Sequence, residues 1–467
     1  MTGAAAGNAG RGAGSVVALV LLGMTLLFPA IPQAQQSAEI GPLPLRLEGH
    51  GGPVRAITLS EDGRWALTAS FDYSLILWEF DGAGAHIRRH LDGHEGAVND
   101  VAFYDDARKA VSVGDEGAIL FWDLATGRMI GRIAEAPEKL LDIRVSPDET
   151  QAVAAQWNGT ASLIDLTGRS LIAVLGSHRG NVNSALFSRD GRHVFTAAYD
   201  GVIRQFEARD GRFLRPLHKH GWGVNVLSLS GDGRHLFFGA LDGTLGRIDL
   251  TRPGSLAQIA KFERPVLALK QSKDGHLLAA GTGAGEIHVY AVENGLKLET
   301  MSPGFGQVWD LDFTASGRHI YHVGLDDYAI LWQISPVVYR PSESEYPRRF
   351  QLSESADPGE LEFLRKCSIC HTLEADGKNR AGPTLYGVFG REAGTLPGYA
   401  YSQALIESKI VWNEKTIAQL FTEGPDVVTP GTKMPIQRLK SVKRRDDLIR
   451  FLKAATGPGQ DRTGDKQ

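Results

Sequence analysis

The chain has 467 residues, about three times the usual single-domain length, so several domains with sizeable cores are expected and a small stapled scaffold is excluded. Hydrophobic residues make up 42% and charged residues 22%, with 55 glycines, which describes a globular protein rich in tight turns. A net charge of −4 supplies no positive field towards phosphate backbones, so nucleic acid is not an expected partner.

The N-terminus carries Arg11, no acidic residue before Glu39, and an apolar run from Val16 to Phe28 that is short for a bilayer. It reads as a secretory signal over residues 1–34, cleaved after Ala34, which places the mature protein in the periplasm. The alternative is an uncleaved N-terminal membrane anchor. The only cysteines are Cys367 and Cys370, which excludes a multi-disulfide framework and a multi-cysteine zinc ribbon.

From residue 40 to 334 the sequence repeats. Apolar residues opening similar short strands fall at Val54, Val98, Leu140, Val182, Val224, Val266 and Val308, spaced by 44 residues once and by 42 five times. Each unit runs strand, Gly-containing turn, strand, Asp- or Gly-containing turn, strand. Four units open with a histidine four residues earlier (His50, His94, His178, His220), and three close on tryptophan (Trp78, Trp122, Trp332). With Gly49-His50, Gly93-His94 and Trp122-Asp123, this stretch resembles the WD-repeat family, which implies an all-β seven-bladed β-propeller. Blades three, six and seven lack the opening histidine. Blades three to six lack the tryptophan, carrying Ile164, Phe206, Ile248 and Tyr290, so the blades are expected to differ in stability. Leu45-Arg-Leu-Glu-Gly-His50 looks like the end of an outer strand, whereas the chain turns Pro-containing soon after Trp332. The segment near Leu45 to Glu48 is therefore expected to complete the seventh blade and hide two sheet edges.

Thirteen of the fourteen histidines lie in this region. The four opening histidines, and His193, His235, His276 and His319, occupy equivalent places on different blades and read as structural. His86, His90, His218, His288 and His322 have no such register, and a metal site among them is the minor reading. No nucleophile elbow, phosphate-binding loop or His-Glu-x-x-His helix occurs.

Residues 335–356 have the proline and polar content of a linker, and residues 457–467 form a polar tail. Between them, Asp357 and Pro358 start a predicted helix that delivers Cys367-Ser368-Ile369-Cys370-His371. Two thiols three apart can both add to haem vinyl groups, with the next residue reaching the iron. A thioredoxin-like dithiol would need a βαβ context, and a zinc site a second cysteine pair. His371 is the last histidine, and Met434 is the only methionine after the motif, which makes its thioether the candidate sixth ligand.

Residues 357–456 resemble class I cytochrome c of the mitochondrial type. The resemblance rests on Cys367 to His371, Gly382-Pro383-Thr384-Leu385, Gly387 to Arg391, Pro397-Gly398-Tyr399, Trp412, Pro430 to Met434 and Asp447 to Leu452. It implies an all-α domain with one haem c held covalently by Cys367 and Cys370 and ligated through iron by His371 and Met434. It also implies that the Pro383 carbonyl bonds His371, and that Arg391, Tyr401, Trp412 and Thr432 face a propionate. Gly359 and Phe363 would pack on Leu448 and Phe451 where the terminal helices cross. Family members commonly have Asn and Tyr where this chain has Leu405 and Leu420. A pocket dried by leucine is expected to raise the reduction potential.

Two readings of function follow. One is an exported electron carrier whose propeller docks a redox partner protein, such as a periplasmic oxidoreductase or respiratory complex. The other is a periplasmic oxidoreductase with its active site in the propeller and the haem as electron outlet, so whether the chain is an enzyme stays open. A redox-responsive scaffold is a third class. Residues 357–467 carry 17 basic and 14 acidic residues against 33 and 40 in the rest. Lys366, Lys433, Lys440 and Lys443 would then flank the haem edge and favour an acidic surface.

Overall fold

The computed structural model describes residues 43–334 and 357–457, apart from residues 82, 135–137, 177, 253, 303–305, 369, 374, 376–381, 400, 431, 433, 435–437 and 440. The expected signal segment 1–34, the linker 335–356, and all of the tail but residue 457 lie outside the described residues. Among the described residues no helix is long and apolar enough to cross a membrane.

Seven four-stranded antiparallel sheets follow one another in the first stretch. In blades one to six the strands pair in chain order, the first being Val54–Leu59, Trp65–Ser70, Ser74–Asp81 and Gly84–Asp92. The seventh takes its outer strand from the start of the chain, where Arg46–Glu48 pairs with Tyr328–Gln333 in the register Arg46↔Ile330, Leu47↔Ala329, Glu48↔Tyr328. This is a seven-bladed propeller closed by its own N-terminal strand. One four-stranded sheet cannot bury both faces alone. The core is accordingly a series of clusters between neighbouring blades, the last joining Leu47, Tyr321 and Val323 to Val54, Ile57 and Trp78 of the first blade.

The opening histidines bind between strands of their own blade. In blade one, His50 Nδ1 donates to Asp72 at 2.9 Å, Nε2 accepts from Thr68 Oγ1 at 2.7 Å, and Trp78 Nε1 donates to the same hydroxyl at 2.9 Å. Burial opposes ionisation of Asp72, but His50, Ser74 and the Gly51 amide prevail and hold its carboxyl down at about 2. His94, Glu116, Ser112 and Trp122 repeat the arrangement. Blade four keeps His178, Asp200 and Thr196 but has Phe206 for the tryptophan. Blade five keeps only His220 with Asp242, at 3.1 Å, because Phe238 stands where the hydroxyl would be. In blade seven the hydroxyl position is His322, and both His322 Nε2 and Trp332 Nε1 are buried without a partner. Of the remaining unregistered histidines, His86 and His90 are exposed, His218 sits beside His220 and Phe238 at 6.0 and 5.3 Å, and His288 stacks on Phe262 at 4.5 Å. No group of three or more potential metal ligands occurs among the described residues.

The second stretch is helical. Its helices are α1 (Pro358–Lys366), α2 (Gln403–Ile406), α3 (Glu414–Glu423), α4 (Pro425–Val428) and α5 (Val442–Ala455). Asp357 caps α1 by accepting from the Gly359 amide at 2.7 Å, Asn413 and Thr416 form a reciprocal cap on α3, and Ser441 caps α5. A Cβ on Gly359 would lie 2.0 Å from the Asp447 carbonyl oxygen, so only glycine lets α1 and α5 cross this closely. Phe363 meets Phe451 beside the crossing at 5.8 Å between ring centroids. The half-exposed Arg444 reaches across to the buried Glu362 carboxylate with bonds of 2.7 and 2.8 Å.

Candidate haem site

The cysteine pair sits where α1 ends. Cys367 and Ser368 amides both bond the Phe363 carbonyl, and the Cys370 and His371 amides return to Cys367 at 3.0 and 2.9 Å. This tight turn places both thiols and the imidazole on one wall. Burial pushes the Cys367 thiol up to about 12, with Cys370 adding to the rise and Lys366 opposing it. A reactive dithiol needs a lowered pKa, usually at a helix N-terminus, whereas this pair lies at the C-terminal end of α1, where the helix dipole disfavours a thiolate. The buried Cys367 is therefore poorly placed to act as a thiolate nucleophile.

His371 Nδ1 donates to the Pro383 carbonyl at 2.8 Å, which fixes the tautomer with the lone pair on Nε2, the nitrogen suited to a metal. The Gly382 amide bonds Cys370 O at 2.7 Å, and a Cβ there would come within 2.4 Å of His371 Cε1, so the glycine permits the loop to close on the ring. Across the cavity, Met434 follows Thr432, whose hydroxyl accepts from the Met434 amide at 3.2 Å. That hydroxyl keeps its own proton for another acceptor. Arg391 donates to the Tyr386 and Thr384 carbonyls, both at 3.0 Å, leaving one N–H on each terminal nitrogen. An isolated bridge from Glu392 to Val411 holds Trp412 beside Arg391. Tyr401 meets Tyr399 edge-on at 4.7 Å.

These groups enclose one cavity of about 1110 Å³, part of it open to solvent. Cys367, Cys370, His371, Pro383, Arg391, Tyr401, Trp412, Thr432 and Met434 all line it, so the residues expected to hold the haem are brought together. Leu385, Val388, Leu405, Ile417, Leu420, Phe421 and Leu452 supply an apolar body. The set fits haem c: two thiols, an imidazole oriented by the Pro383 carbonyl, a thioether, and polar groups against an apolar slot. Ser402 Oγ, buried and without a partner, also lines the cavity and would be satisfied by a bound acceptor. Sequence reasoning passed over Ser402, because nothing in its neighbours marks it. It also passed over Tyr73, which reaches this cavity from blade one. Of the expected flanking lysines, Lys366 is half-buried and Lys443 is exposed beside Asp447 at 3.2 Å, while Lys433 and Lys440 lie outside the described residues.

Fold and site together define a β-propeller protein carrying a helical segment with a cysteine–histidine haem pocket. Residues 41–79, 86–123 and 169–207 match the family model "WD domain, G-beta repeat". These are blades one, two and four, the same three that keep the histidine, carboxylate and hydroxyl together. Cytochrome c of Gibberella zeae is 44% identical over 94 residues, 20% of this chain and 88% of the relative. Cytochrome c of Kluyveromyces lactis is 40% identical over 98 residues, 21% of this chain and 88% of the relative, and that of Arabidopsis thaliana 41% over 105 residues, 22% and 93%. Through this segment, about a fifth of its length, the chain belongs to the cytochrome c family.

Proposed function

We propose that the protein is an exported c-type electron carrier of the class I type, with one haem bound through Cys367 and Cys370 and ligated by His371 and Met434. The observation that carries this reading is the convergence of both thiols, the Pro383-oriented imidazole and the thioether on a single cavity. Bound there, the haem would supply one-electron iron chemistry. His371 and Met434 would hold the iron between them, which suits exchange of electrons without binding of a substrate. Arg391, Tyr401, Trp412, Thr432 and Ser402 would hold the propionates, and the apolar wall with Leu405 and Leu420 would exclude water and raise the reduction potential. The propeller serves as the docking platform for a redox partner, and the N-terminal segment directs the chain to the periplasm.

The test is the optical and pyridine-haemochrome spectrum of protein matured in a periplasm with haem-c assembly, with and without carbon monoxide. One covalent haem per chain that ignores carbon monoxide supports the carrier. A second reading, an oxidoreductase with its site in the propeller, is favoured by a small depression, open to solvent, lined by Arg55, Asn99, Asp100, Asp142, Arg144 and Asp310. There burial pushes Asp100 up to about 7 although Arg144 opposes the rise. A second chromophore, or a haem that binds carbon monoxide, would put that reading first.

A further inference from the structure

Every blade turns between its second and third strands nineteen residues after its opening apolar residue. In blades two to six that position is Gly117, Gly159, Gly201, Gly243 and Gly285, with φ of +76°, +87°, +76°, +83° and +86°. In blade one it is Tyr73, held at φ +72°. A bulky side chain in the left-handed region is strained, and such strain persists where the surroundings enforce it, commonly at functional sites. Here the surroundings are firm: the Tyr73 amide bonds Ser70 O at 3.2 Å, and Asp72 is bonded by His50, the Gly51 amide and Ser74. Blade seven has Asp327 at this place, outside the left-handed region, so blade one is the blade that holds a bulky residue at the glycine conformation, and that residue's half-buried side chain lines the haem cavity together with Cys370, Tyr399 and Tyr401. Burial, with Cys370 and Tyr399 nearby, also raises the Tyr73 hydroxyl above its ordinary value.

Building on the haem reading above, we propose that Tyr73 is a cap on the haem pocket, and that the blade-one turn is a docking surface whose occupant is this chain's own haem-bearing segment. The aromatic ring closes the cavity wall beside Cys370 and Tyr399, keeping water and small reductants from the haem and holding the helical segment on the propeller. Tyr73 is a positioning residue; it donates no ligand and exchanges no proton. The cap also explains why a strained tyrosine stands where glycine would be the relaxed choice.

The experiment uses the full haem-loaded chain and its Tyr73→Gly and Tyr73→Phe variants. Tyr73→Gly installs the residue that five other blades use at this φ, so its thermal midpoint should match or exceed the parent's. Reduction by ascorbate should accelerate by about five-fold or more, and the midpoint potential should fall, because an opened pocket admits water. The Gly398 and Tyr399 amides should exchange hydrogen faster. Tyr73→Phe keeps the ring and should stay within about two-fold of the parent rate. Unchanged rate, potential and exchange in a Tyr73→Gly chain that carries its covalent haem would overturn the cap. A parent chain without covalent haem would instead overturn the haem reading, and the cap with it.

Discussion

Two residues, Met434 and His322, show how side-chain chemistry sets testable behaviour. Met434 is the proposed thioether ligand, held by the bond from its amide to Thr432. Replacing it with alanine should leave covalent haem attached through Cys367 and Cys370 but open the iron, so that carbon monoxide shifts the spectrum and the potential drops; a Met434→Ala spectrum indifferent to carbon monoxide removes methionine from the ligand set. His322 is fully buried, and burial lowers it to about 4. Its folded value lies below its unfolded one, so the neutral ring favours the fold fully above about pH 6.5, and that contribution is lost as pH falls from 6.5 towards 4. The shift corresponds to roughly 3 kcal/mol across this window. His322→Thr restores the hydroxyl that blades one and four carry and offers Trp332 Nε1 a partner. It should raise stability at pH 5 by about 1–3 kcal/mol and flatten the pH dependence, read by urea unfolding at pH 5 and 7.

At the scale of elements, two junctions decide whether a part folds. The α1–α5 crossing has no room for a side chain at position 359, since even a methyl group would overlap the Asp447 carbonyl. Gly359→Ala should therefore force the helices apart at a loss of about 3 kcal/mol or more, seen as a fall in covalent haem yield while the propeller's far-ultraviolet spectrum persists. The closing strand Arg46–Glu48 has one inward side chain, Leu47, packed in the cluster that joins the seventh blade to the first. Leu47→Ala should cost about 2–5 kcal/mol in the propeller and leave the haem spectrum unaltered, measured by denaturant unfolding with tryptophan and Soret signals followed together. The terminal strand matters because it covers an edge that would otherwise pair with another molecule.

For the whole molecule, the apolar contacts form a ring and a separate core. Clusters link neighbouring blades around the propeller, whereas the helical part has a cluster of its own containing Phe363, Cys367, Leu448 and Phe451. Calorimetry of the haem-loaded chain should show two transitions. Cys367→Ser with Cys370→Ser should abolish the one attached to the haem signal and keep the propeller's; a single transition lost altogether would mean that the two parts fold as one unit. The repeat period, the closing strand, the start of α1 and the haem motif were legible in the chain because each is written at fixed local spacing: 42 or 44 residues per blade, two residues between thiols, a cap followed by proline. The unequal blades were legible in outline, from missing histidines and tryptophans, although only the paired positions show that His322 and Trp332 leave each other unsatisfied. By itself, then, the sequence determined the kinds of part and the place of the cysteine–histidine motif, since neighbouring residues carry both. Only the tertiary structure decided that Arg444 neutralises Glu362, that Ser402 faces the pocket, and that Tyr73 of blade one meets the wall holding Cys370. Those pairings join residues far apart in the chain, and no local spacing encodes a distance that only the folded backbone creates.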